Sequence, residues 1–171
     1  MSGMYGMNIK MAIYGESHGA SIGLVIDGVP PGLKLDLEAI EKEMARRSPG
    51  KNQLSTQSKE SDSFAIQSGF FEGYTTGTPL CVVIKNSDQH SKDYSILKDK
   101  MRPGHADYAG FVRYQGFNDY RGGGHFSGRL TAPLVFIGAV AKQALAQEGM
   151  LVGAHILQIA DIKEENFNPL G

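Results

Sequence analysis

The run Asn8-Ile9-Lys10-Met11-Ala12-Ile13-Tyr14-Gly15-Glu16-Ser17-His18-Gly19-Ala20-Ser21-Ile22-Gly23-Leu24-Val25-Ile26-Asp27 sets a polar, glycine-bounded pentapeptide between two short apolar segments. By pattern the pentapeptide fits G-x-S-x-G, the nucleophile elbow of serine hydrolases, which requires strand, sharp turn, then helix. The residues after Gly19 do not suit a helix. Gly23 and the β-branched pair Val25-Ile26 favour a second strand, so the run predicts strands over Asn8 to Tyr14 and Ser21 to Asp27. Pro30-Pro31-Gly32 then enforces a turn.

Working outward, Asp36 can cap a helix from Leu37 to about Arg47, with Leu37, Ile40 and Met44 on one face and Pro49 as its stop. The closing Arg46-Arg47 either answers the negative end of the helix dipole or serves an anionic ligand. Lys51 to Asp62 is polar and aperiodic and reads as a long mobile loop. Ser63 to Phe71 and Leu80 to Lys85 read as two strands, paired antiparallel through a turn-rich connection. From Asn86 to Gly124 no element is clear, although six Tyr and Phe residues there argue for order. Thr131 to Gln147 is the strongest helix, with Pro133 in its first turn; from Leu134 to Leu145 it is apolar enough to be covered on most sides. Gly149 ends it, and Leu151 to Ile159 reads as a further strand.

The chain has 171 residues, 41% of them apolar and 20% charged, with a net charge of -1. That size suits one domain, residues 1–171. The charge argues against a general nucleic-acid or membrane-surface binder, so any anionic ligand must meet a local cluster. Cys81 is the only cysteine, which leaves no intrachain disulfide and makes a cytoplasmic home the default. Neither a signal peptide nor an anchor is read at the N-terminus.

Three clusters remain that can do chemistry. Arg121-Gly122-Gly123-Gly124-His125-Phe126-Ser127-Gly128-Arg129 leads into the long helix and is either a phosphate cradle or a plain flexible turn. His18 and His105 each lie among glycines and polar groups, where an imidazole can act as acid or base; taken singly, each also fits a surface histidine. No histidines pair at the spacing of a helical zinc site, so no metal is expected. His90 and His155 are assigned no role.

Together the clusters gain a common meaning. Gly15-Glu16-Ser17-His18-Gly19, Asp27-Gly28-Val29-Pro30-Pro31-Gly32, Arg46-Arg47-Ser48-Pro49-Gly50, Thr75-Thr76-Gly77-Thr78, Asp93-Tyr94-Ser95, Arg102-Pro103-Gly104-His105-Ala106-Asp107-Tyr108 and Asp119-Tyr120-Arg121-Gly122-Gly123-Gly124 resemble, in order, the motifs of the chorismate synthase family.

The resemblance implies a carbon-oxygen lyase of the shikimate pathway that eliminates phosphate and a ring proton from 5-enolpyruvylshikimate 3-phosphate to give chorismate. It implies reduced FMN as cofactor, with NADPH as a reductant for the flavin, and a small-molecule phosphate ester as partner. It further implies His18 and His105 as the catalytic pair, Arg47, Arg129 and Ser17 as substrate contacts, and His125, Phe126, Ser127 and Asp107 as cofactor contacts. The implied fold is α+β: a β-α-β sandwich in which antiparallel sheet packs on a buried helical layer, usually as a homotetramer. Relatives run considerably longer, so about half of the family fold is expected here, its N-terminal part. Gln53, His125, Phe126 and Leu130 depart from many relatives, with Lys51 a candidate to compensate for Gln53. The competing expectations are a phosphate- or flavin-binding fragment without catalysis, and a hydrolase acting through Ser17.

Overall fold

The computed structural model describes residues 4–48, 62–87, 94 and 98–164. Most of the Lys51 to Asp62 loop, with Lys51 and Gln53, and also His90 lie outside the described residues. In chain order the elements are β1 (Met4–Tyr5), β2 (Lys10–Gly15), β3 (Ser21–Asp27), α1 (Leu37–Arg47), β4 (Phe64–Ser68), β5 (Phe70–Phe71), β6 (Tyr74–Thr75) and β7 (Leu80–Lys85). Beyond them come α2 (Asp107–Arg113), 3-10 turns at Arg121–Phe126 and Gly128–Leu130, α3 (Thr131–Gln147), β8 (Gln158–Ile159) and β9 (Ile162–Lys163).

The two strands around the pentapeptide pair antiparallel with Tyr14 opposite Gly23, as the β-branched run after Gly19 requires. They lie in a five-stranded sheet of order β1-β2-β3-β7-β4, antiparallel throughout. Alternation does the rest. Ile22, Leu24 and Ile26 of β3 sit opposite Ile84, Val82 and Leu80 of β7, and all six are fully buried. On the other face the Tyr14 hydroxyl donates to the Val82 carbonyl at 3.1 Å. That reach crosses Gly23, where a Cβ would lie 2.4 Å from the Tyr14 oxygen, so a side chain there would evict the ring.

Both long helices cover the buried face. Asp36 caps α1 by accepting from the Ala39 N–H at 3.0 Å, and the apolar stripe turns Ile40 and Met44 into the core. From α3 come Phe136 and Val140, with the Phe136 ring edge-on to Phe64 at 4.9 Å. Each such side chain contributes about 1.5–3 kcal/mol through removal from water. Gln143 ties the helices together: its Oε1 accepts from the Asp36 N–H at 2.8 Å and its Nε2 donates to the Asp36 carbonyl at 3.0 Å.

Four expectations need correction. The helix at Thr131–Gln147 is buried along one side only, and Leu134 remains 42% exposed. The stretch from Ser63 to Phe71 is not one strand: Gly69 takes φ +80° and splits it into β4 and β5. Leu151 to Leu157 forms no strand, and only Gln158–Ile159 pairs, with Ile162–Lys163. The unassigned region contains α2, whose Gly110 disguised it; the ring of Phe126 needs the space, since a Cβ at Gly110 would meet it at 2.8 Å. The run from Arg121 to Gln147 is apolar and long enough to cross a membrane, but Gly122 to Gly124 break it with non-helical angles and Phe136 packs in the core.

Candidate active site

The turn between β2 and β3 is held from three sides. Gly15 takes φ +94°, and a Cβ there would lie 2.3 Å from the Ser21 carbonyl, so only glycine lets the strand turn this tightly. The Gly19 N–H closes the turn on the Glu16 carbonyl at 3.0 Å. Asn86, just after β7, gives both amide protons to this turn, to Glu16 O at 3.0 Å and Gly19 O at 2.9 Å.

The third support is the glycine run. The Ser17 N–H donates to Gly124 O at 3.2 Å, and its hydroxyl reaches Gly122 O at 3.2 Å and Arg121 O at 3.4 Å. Carbonyls only accept, so either of these contacts would use the single hydroxyl proton. The 3.0 Å contact between Ser17 Oγ and His18 Nδ1 is the shortest that the hydroxyl makes, and it engages Nδ1 whichever of the two groups donates. With Nδ1 engaged, Nε2 is the His18 nitrogen left to exchange protons with a ligand. The same arrangement argues against the elbow, because Ser17 is only 7% exposed and its hydroxyl lies against the Arg121 and Gly122 carbonyls.

Gly122, Gly123 and Gly124 have φ of 58°, 84° and 56°. A Cβ at Gly122 would collide with the His18 ring, and one at Gly124 would lie 2.0 Å from the Asp119 carbonyl. The run is therefore a seat for Ser17 and His18 as well as a candidate anion contact. The His18 ring also makes a T-shaped contact with Tyr94, centroids 4.8 Å apart.

Gly122 and Gly123 also line a cleft of about 200 Å³, together with Arg102, His105, Asp107, Phe126 and Ser127. The glycine run thus borders both the His18 ring and the cleft that His105 lines. His105 is exposed, its Nδ1 3.3 Å from the Pro103 carbonyl. Asp107 takes a fork from Arg102, Nε to Oδ2 at 2.9 Å and Nη2 to Oδ1 at 3.0 Å. That hydrogen bonding holds the Asp107 carboxyl below the usual carboxylate range, against the opposing pull of burial. Arg121 holds Asp119 low in the same way. His125 Nδ1 donates to Gly15 O at 2.8 Å, and with Phe126, Tyr14 and Tyr114 it lines a second pocket of about 460 Å³, ample for part of a small ligand.

The expected substrate arginines stand apart from both clefts, joined to each other. Asp62, its side chain 1% exposed, accepts from Arg47 at Oδ2, 2.6 Å from Nη2 and 2.8 Å from Nε, and from Arg129 Nη1 at Oδ1. Arg129 also donates to Asn86 Oδ1 and the Lys85 carbonyl, each at 3.3 Å. Asn86 connects this cluster to the turn that carries His18. Sequence reasoning misses Asp62 and Asn86, for they belong to no motif and meet their partners only through the fold. Arg102 does stand in a motif, but its fork to Asp107 is visible only in three dimensions.

A sequence model of the chorismate synthase family matches residues 9–170. Similar curated relatives include the chorismate synthases of Sulfurimonas denitrificans, 49% identical over 164 residues, and Pyrococcus abyssi, 48% identical over 166 residues. Each alignment covers 96% of this chain and 46% of the relative. The chain therefore spans about half the length of the curated relatives it matches. A solved crystal structure of a chorismate synthase superposes with a TM-score of 0.69 at 28% identity, over 92% of this chain and 40% of that one.

Proposed function

This chain belongs to the chorismate synthase family, and from that premise we propose that the polypeptide carrying it converts 5-enolpyruvylshikimate 3-phosphate into chorismate. The observation that carries this reading is the His18 imidazole, locked through Nδ1 on Ser17 with Nε2 left for a ligand. Loss of phosphate demands a proton or cation at the leaving oxygens, and Nε2 of protonated His18 supplies it. Arg47 and Arg129 bring fixed positive charge for the phosphate and carboxylate groups of the substrate. Ser17 contributes by holding the histidine that meets the phosphate.

The residues around the second histidine fit a reduced flavin. Gly123 leaves open space beside Arg102 and Ser127, with nothing closer than 3.8 Å to a Cβ built there, and the cleft offers a guanidinium, an imidazole, a hydroxyl and the Phe126 ring. Reduced FMN, when bound, supplies electron density to the departing phosphate without net oxidation. Ser127, His125 and Phe126 would hold it, Asp107 would act by orienting Arg102, and His105 would exchange the proton that balances charge beside it. NADPH is the proposed source of reducing equivalents, and a cytoplasmic homotetramer the proposed setting.

The test is chorismate formation by that polypeptide under anaerobic conditions with reduced FMN. His18→Ala and His105→Ala should each abolish most turnover, and unchanged rates in both would overturn the proposal.

A further inference from the structure

The geometry points to Asp62 as the positioning residue of the anion-binding arginines, a role that rests on the proposed function. Its buried carboxylate spends both oxygens on cations: Oδ2 takes Nε and Nη2 of Arg47, and Oδ1 takes Nη1 of Arg129. Ser48 Oγ adds a bond to Oδ2 at 2.9 Å. The three partners come from the end of α1 and from the turn before α3, so one carboxylate fixes the spacing of two elements and the aim of two guanidinium groups.

Geometry decides the direction of the effect, since removing the carboxylate's charge alone would favour an anion. One carboxylate fixes two guanidinium groups, and their aim is what a phosphate or carboxylate ligand would need. The two cations differ in access: Arg47 is 19% exposed at its side chain and Arg129 7%. Arg47 is therefore the clamp that meets the ligand first, and Arg129 the strut beneath it. Through Arg129 Nε the chain of hydrogen bonds continues to Asn86, and from Asn86 to the carbonyls of Glu16 and Gly19. Asp62 thus sets the anion clamp in register with the turn that carries His18, although it touches no reacting atom.

The experiment compares Asp62→Asn and Asp62→Glu with the parent polypeptide in anaerobic turnover, and titrates inorganic phosphate calorimetrically. Losing one charge-assisted bond should raise KM and the phosphate Kd about tenfold while kcat changes less than about threefold. Asp62→Glu, which keeps the charge, should recover part of that loss. Unchanged or tighter phosphate binding in Asp62→Asn overturns the inference, the tighter result meaning that Asp62 competes with the ligand. Should that variant fail to fold, Ser48→Ala serves instead, since it loosens Oδ2 without orphaning a charge; about a threefold rise in KM is expected, and none overturns it. Phosphate binding that depends on Asp62 without chorismate formation would preserve the inference and remove the proposed function, whereas turnover with phosphate binding indifferent to Asp62 would do the reverse.

Discussion

A Cβ at Gly122 would lie 2.2 Å from Cε1 of His18, so the backbone of the glycine run and the imidazole are in close contact. Gly122 also sits at φ +58°, where an L side chain costs about 1–2 kcal/mol. Gly122→Ala should therefore do two separable things. The strain lowers the thermal midpoint modestly, while the displaced ring lowers kcat by about 100-fold, the usual consequence of a misplacement near 1 Å. Steady-state kinetics beside a melting curve would separate them, and an unchanged kcat would show that His18 is not held by this contact.

Acid stability depends on the two carboxylates with lowered pKa. Arg102 hydrogen bonding depresses Asp107, and Arg121 does the same to Asp119. In the unfolded chain each titrates at about 3.9, so that state binds more protons just below this pH. Their stabilisation is complete above the unfolded value and is lost as pH falls through the lower folded values. Asp107→Asn should therefore be less stable than the parent at pH 7 and converge with it in strong acid, as read from urea midpoints across pH. Salt should weaken the Asp119 pair more, because Arg121 is 39% exposed against 29% for Arg102.

The two sides of α3 predict opposite results. Phe136 is fully buried against Phe64, and Phe136→Ala should cost about 3–5 kcal/mol through lost burial and the cavity left behind. Leu134, 42% exposed on the same helix, should change stability by only about 0.5 kcal/mol on replacement by alanine. Urea unfolding measures both, and a large loss at Leu134 would mean that its side is covered in solution.

These contrasts mark what the sequence could reveal. Local chemistry is readable where it acts locally: the strand after Gly19, the Asp36 cap, the β7 run and the proline-led start of α3 all carry their own signals. The apolar content of α3 predicts burial on most sides, yet hydrophobicity does not say which partner supplies the cover, and the described chain covers one side. Gly110 conceals α2 because its purpose is to admit the Phe126 ring from another segment. Asp62 is hidden for the same reason, since its two arginines lie 15 and 67 residues away. Motif order discloses the functional loops. The carboxylate and amide that hold those loops in place become visible only when β4, β7, the end of α1 and the turn before α3 are brought together.

Asn86 offers the sharpest test of that hidden support. Its amide nitrogen donates twice, to Glu16 O and Gly19 O, while its oxygen accepts from Arg129 Nε. Asn86→Ala removes all three bonds, which should loosen the turn at Gly15 to Gly19. Asn86→Asp keeps the acceptor for Arg129 but points a carboxylate oxygen at two carbonyls about 3 Å away, replacing attraction with repulsion. The aspartate, although closer in shape, should therefore be the more damaging at neutral pH, and should recover in acid as its carboxyl is protonated and regains a donor. Amide hydrogen exchange across residues 15–19 reads this directly. Protection should fall in the order parent, alanine, aspartate, whereas equal protection in all three would show that the strands and the Ser17 to Gly124 bond hold the His18 turn unaided.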